Sequence, residues 1–260
     1  MTEEQQPGLE ARGEALVHAA REGDANAVER LLAEGVDANH LAGQGWDGSP
    51  LQAAAGAGYA TIVARLLGAG ADPAVADRLG TTPLHAAAYE GHAAVIRILL
   101  AHGAPIDART SPETQSLTPL MRALSGGHGE AALALIEGGA DVAATESGPS
   151  PLALAIRHAA DPALVEALLS HGAPLYLPEG TGADLLRWAV EIANAGAIPV
   201  LLAHDDRIDP LSRAALEGDP GAVEALLAGG ANPNQQDSHG GYPLAWAAAR
   251  GHEAVVELLL

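Results

Sequence analysis

The side chains with chemistry in reach are mostly imidazoles and carboxylates: 11 histidines and 33 acidic residues among 260. His204, Asp205, Asp206 and Asp209 stand within one short stretch. That donor set would suit a divalent cation, but it is equally the make-up of a solvated acidic loop. Glu90, Glu191 and Glu217 are carboxylates that would exchange protons if a groove brought them together. Gly43-Gln44-Gly45-Trp46-Asp47-Gly48 satisfies G-x-G-x-x-G, which cradles a dinucleotide when a buried strand precedes it and a helix starts inside it. Neither context surrounds it here, so a glycine-rich turn tip is the better reading. Trp46 at that tip has no core to fill; it either anchors a partner or folds back over its neighbours.

Other chemistries are excluded by what is missing. No cysteine occurs, which removes disulfides, thiolate zinc sites and a cysteine nucleophile. All 13 basic residues are arginine, so there is no Schiff-base lysine and no lysine-bearing P-loop. H-E-x-x-H and G-x-S-x-G are absent as well. A net charge of −20 repels phosphate backbones and argues against nucleic-acid binding. It suits a basic partner or plain solubility. No apolar run reaches the 18 or so residues of a membrane helix, and the first residues lack a signal pattern. The expectation is a soluble, cytoplasmic protein with no cofactor and no metal.

The elements that position these residues are clearest in Gly80–Ala108. Thr82 offers an N-cap hydroxyl, and Pro83 follows where a missing N–H costs nothing. A short apolar helix runs to Gly91, and a second, carrying Val95, Ile96, Ile98, Leu99 and Leu100, runs to Gly103. This unit resembles an ankyrin repeat, whose T-P-L-H-x-A signature is met by Thr82, Pro83, Leu84, His85 and Ala87.

The unit recurs. Apolar doublets begin at Leu31, Leu66, Leu99, Leu135, Leu168, Leu201, Leu226 and Leu259, spaced 35, 33, 36, 33, 33, 25 and 33 residues apart. A leucine lies fifteen residues before each, except in the fifth unit, where sixteen point to an inserted residue near Ala159-Ala160. Eight repeats are therefore expected: 12–46, 47–79, 80–115, 116–147, 148–180, 181–206, 207–239 and 240–260, after a solvated tail over 1–11. The fold class is all-α with short β-hairpin fingers, a solenoid of stacked helix pairs. The sixth unit has lost the signature and carries Trp188 where the pattern has a small or aliphatic residue. Only eight residues separate Leu202 from Leu211, too few for a finger. No polar closing repeat follows the eighth, so either the chain is shortened there or that end packs against something.

The resemblance assigns most histidines to structure: His85 would bond backbone between repeats, and His92, His128 and His252 take the usual place after the helix-ending glycine. His102 and His171 precede a glycine that ends a second helix, where a cation complements the dipole. The resemblance also implies a binding groove, faced by the two residues before the glycine that ends each first helix. These are Arg21 and Glu22, Gly56 and Ala57, Tyr89 and Glu90, Ser125 and Gly126. Farther on they are Arg157 and His158, Glu191 and Ile192, Leu216 and Glu217, Ala249 and Arg250. The implied function is recognition of another protein, a basic one on charge grounds, by a scaffold, adaptor or neutralising protein. The competing reading is an enzyme or small-molecule site around Trp188, His204, Asp205, Asp206 and Asp209.

Overall fold

Thr82 holds extended backbone and accepts the His85 N–H, Pro83 opens the helix, and the His85 ring returns a bond to the Thr82 N–H. This reciprocal cap satisfies donors that a helix of seven residues would otherwise leave open. Ser49 and Thr118 cap the helices that open at Pro50 and Pro119 by the same hydroxyl bond. The computed structural model of the chain describes residues 6–43, 48–144, 150–158, 161–175 and 185–260.

Among the described residues there are sixteen α-helices, two to a repeat. They are α1 (Gln6–Glu22), α2 (Ala25–Ala33), α3 (Pro50–Gly56), α4 (Ala60–Gly68), α5 (Pro83–Tyr89), α6 (Ala93–Ala101), α7 (Pro119–Ser125) and α8 (Gly129–Glu137). Then follow α9 (Pro151–Arg157), α10 (Pro162–Ser170), α11 (Leu185–Glu191), α12 (Ala197–His204), α13 (Pro210–Glu217), α14 (Pro220–Ala228), α15 (Pro243–Arg250) and α16 (Glu253–Leu259). None is long and apolar enough to cross a membrane.

The chain divides into two compact units, residues 1–154 and 155–260. In the first, α1, α3, α5 and α7 pack in sequence as one layer, and α2, α4, α6 and α8 as the other. The leucines that marked the repeats form the core: Leu16, Leu51, Leu84 and Leu120 are fully buried, as are Leu66, Leu99 and Leu135 from the doublets. Each such burial contributes about 1.5–3 kcal/mol. In the second unit α13 packs on α15 and α14 on α16. The helix starts bracket the insertion in the fifth repeat: α9 and α10 begin eleven residues apart, where α5 and α6 begin ten apart. Ala159 and Ala160 themselves lie outside the described residues.

Two expectations change. α1 begins at Gln6, so the latter half of the segment read as a tail is helix, with Gly8 to Arg12 exposed to solvent. The fingers contain no strand among the described residues. They are turns closed by aspartate: Asp77 Oδ1 accepts the N–H groups of Leu79 and Thr81, and Asp237 Oδ1 those of His239 and Gly241. The Asp77 and Asp237 N–H groups still donate across these turns to the Thr81 and Gly241 carbonyls, but with aspartate taking the next donors that single backbone bond is not extended into a ladder.

Candidate binding groove

In the first unit the inner ends of α1, α3 and α5 border a trough of about 500 Å³. Arg21, Gly56, Ala57, Tyr89 and Glu90, all expected to face the groove, line it together. Its floor is small-residue backbone, Ala53 and Ala86 beside Gly56 and Ala57, which gives the trough its depth. Tyr89 stands over this floor, 53% exposed.

Arg122 lines the same trough from α7 and was not singled out from the sequence. It lies three residues before Ser125, and Gln52 and Ala86 lie four and three before Gly56 and Tyr89. That spacing places each on the same helix face as the groove position after it, which is the signal that would have found them. The Arg122 guanidinium carbon is 5.7 Å from the Tyr89 ring centroid, a cation–π contact. Its Nε is buried without a hydrogen-bond partner, and so is Gln52 Oε1, whose Nε2 donates to Asp77.

His85 forms part of the lining but is itself fully buried. Its Nε2–H donates to the Leu117 carbonyl of the next repeat at 3.0 Å, so Nδ1 is the acceptor for the Thr82 N–H. Burial, assisted by the Arg122 charge and opposed by the Leu117 carbonyl, lowers its pKa to about 4. The ring therefore stays neutral at pH 7 and tethers repeats.

Other histidines make the same kind of tie. His92 Nε2 donates to Gly56 O at 3.0 Å, and His252 Nε2 to Leu216 O at 3.1 Å, each in the repeat before its own. Gly58, at φ +79°, lies under the His92 ring, where an added Cβ would come within 2.6 Å. His102 and His171 bond the carbonyls four residues back in their own helices, Ile98 and Ala167.

The second unit presents Arg157, His158, Glu191, Ile192 and Glu217 to solvent. Ile192 is 41% exposed, and Glu191 pairs with Arg187 at 3.0 Å. Leu216 corrects the expected groove set: it is only 1% exposed. An apolar side chain at that position turns into the stack beside Ala215, where burial is favourable, and offers a partner nothing.

The sixth repeat keeps its geometry without its signature. Ala193 takes the left-handed conformation, φ +54°, where six of the other repeats have glycine. Asn194 takes the place of histidine: its Nδ2 donates to Ile156 O at 2.9 Å and its Oδ1 accepts the Ala197 N–H. Trp188 is half-buried on α11.

The side chains grouped with Trp188 as an alternative site are engaged locally. Asp209 caps α13 through the N–H groups of Leu211 and Ser212. His204 reaches Glu166 at 3.0 Å. Asp205 is buried, which corrects its reading as part of a solvated run. Its Oδ1 accepts the Arg207 and Ile208 N–H groups, and its Oδ2 lies 2.6 Å from His239 Nε2, both side chains at most 2% exposed. Asp206 is exposed. Among the described residues no three His, Asp or Glu side chains gather as a metal site would require.

Trp46 lies outside the described residues. The ends of its glycine motif are Gly43 and Gly48, both at positive φ, and Ala42 N–H donates to Gly48 O at 3.1 Å. α3 begins only at Pro50, beyond the motif rather than inside it.

Comparison with known proteins agrees with this geometry. Family models described as ankyrin repeats match residues 16–110 (three copies) and 211–260 (many copies). The chain is 33% identical over 177 residues to a Neurospora crassa protein named ankyrin repeat protein nuc-2. The match covers 59% of this chain and 16% of that protein, so the chain spans about a sixth of its relative's length. With the capped helix pairs, the inter-repeat histidines and both matches in agreement, the chain belongs to the ankyrin-repeat family.

Proposed function

We propose that this chain is a protein-binding module whose working surface is the trough of the first unit. Ankyrin repeats are in general protein–protein interaction modules, and one observation carries the reading to this face. Tyr89 stands more than half exposed over a floor of glycine and alanine, beside a guanidinium group already desolvated at Nε. Tyrosine and arginine over a recess of small residues are the usual anchors of an interface. The module acts passively, as a preformed surface that holds its partner without ordering costs. The net charge of −20 supports long-range attraction of a partner whose surface is basic overall.

The test is capture of partners from source-cell lysate by the native chain and by Tyr89→Ala, with Ile192→Ala as a control on the second unit. A protein retained by the native and control baits and lost on Tyr89→Ala supports the reading. Equal retention on all three would sink it. Association of the captured partner should slow from 20 to 300 mM salt, and a rate indifferent to salt would remove the charge argument alone.

A further inference from the structure

We propose that the trough of the first unit takes an extended acidic segment of the partner protein, held between Arg122 and Arg21. This deepens the groove reading above and rests on it.

The chain has 33 carboxylate residues against 13 arginines, so an arginine has every opportunity to pair. Arg65 pairs with Glu29, Arg97 with Glu137 and Arg187 with Glu191. Among the described residues no carboxylate forms an ion pair with Arg122. Its contact is the Tyr89 ring, a cation–π contact that uses none of its N–H donors. Its Nε–H is buried and unsatisfied, an arrangement that costs free energy until an acceptor arrives. A carboxylate takes two guanidinium donors at once in the geometry that arginine presents.

The rest of the lining fits the same guest. Arg21 closes the opposite end from α1, with α3 and α5 between, so two guanidinium groups face the trough against one carboxylate, Glu90. Ala53, Gly56, Ala57 and Ala86 leave room for a peptide backbone along the floor. A basic segment would set its cations against Arg21 and Arg122, a like-charge contact that disfavours it. The overall charge and the local charge thus act at different ranges. The acidic surface draws a basic partner across a Debye length of roughly 10 Å, and the trough selects an acidic stretch within it.

The experiment measures fluorescence anisotropy of labelled seven-residue peptide pools against the full chain. One pool has two glutamates four residues apart among alanine, serine and leucine; matched pools have glutamine or lysine at those two positions. The glutamate pool is expected to bind at least tenfold more tightly than the others. Arg122→Met should remove that preference and Arg122→Lys should restore part of it. If Arg122→Met does not fold, Arg21→Gln at the exposed end carries the same comparison. Equal binding of glutamate and glutamine pools, or loss of binding to free succinate at peptide concentrations, would overturn the acidic segment. Preference for the glutamine or lysine pool, abolished by Tyr89→Ala, would overturn it while leaving the groove reading intact. No binding by any pool would overturn the acidic segment, while the groove reading falls only if Tyr89→Ala retains the captured protein.

Discussion

His85 is held on two sides, by the Thr82 cap of its own helix and by the Leu117 carbonyl of the next repeat. Because burial depresses its pKa to about 4, its protonation is coupled to folding. The unfolded chain takes up this proton near 6.5. Between pH 6.5 and 4 the unfolded state therefore binds more protons, and stability falls as pH falls through that window. The full shift is worth on the order of 3 kcal/mol, and below the lower limit this residue adds no further change. Urea midpoints at pH 7 and pH 5 should drop more in the native chain than in His85→Gln. Parallel profiles would show that some other group sets the slope.

At the scale of the element, the sixth repeat shows how a repeat persists without its signature. Asn194 spans the distance to Ile156 O that histidine spans elsewhere. Asn194→Ala should cost about 1–3 kcal/mol through an unsatisfied buried carbonyl, whereas Asn194→His should retain most of the stability. Ala193 pays for a left-handed backbone that glycine adopts freely. Ala193→Gly is therefore expected to stabilise by about 1 kcal/mol, against the usual effect of that substitution. A lower unfolding midpoint for Ala193→Gly would refute the strain. In the shortened connection, Asp205→Ala leaves His239 buried without its carboxylate and should cost about 3–5 kcal/mol. The double variant with His239→Leu should recover a large part of this in the same denaturation assay.

At the scale of the whole chain, the net charge has two components. Many aspartates are built into the fold: Asp24, Asp209 and Asp219 cap helices, while Asp37, Asp72 and Asp141 hold turns by accepting backbone N–H groups two residues on. Asp107 ties repeats, its Oδ1 accepting the Asp141 N–H of the next repeat at 2.9 Å. The other component is exposed glutamate, which repels its own kind and opposes the compact state. Raising salt from 10 to 200 mM should then stabilise the chain by on the order of 1 kcal/mol. Calorimetric midpoints that fall with salt would contradict self-repulsion.

Helix pairing was legible in the sequence because it depends on local chemistry: hydroxyl or carboxylate caps, proline at the first helical position, and leucines at a fixed interval. The residues at the helix ends were legible for the same reason, and Arg21, Gly56, Ala57, Tyr89 and Glu90 do meet in one trough. Burial was not, since it depends on neighbours distant in the chain. Leu216 and Tyr89 occupy the same place in their repeats, yet one is 1% and the other 53% exposed. Asp205 read as a solvated acid until a histidine 34 positions later closed over it. Eight helix pairs and the residues that end them follow from short-range patterns in the chain. That Arg122 and Arg21, about a hundred residues apart, share one trough follows from the stacking of the repeats, which carries distant helix faces to a common surface.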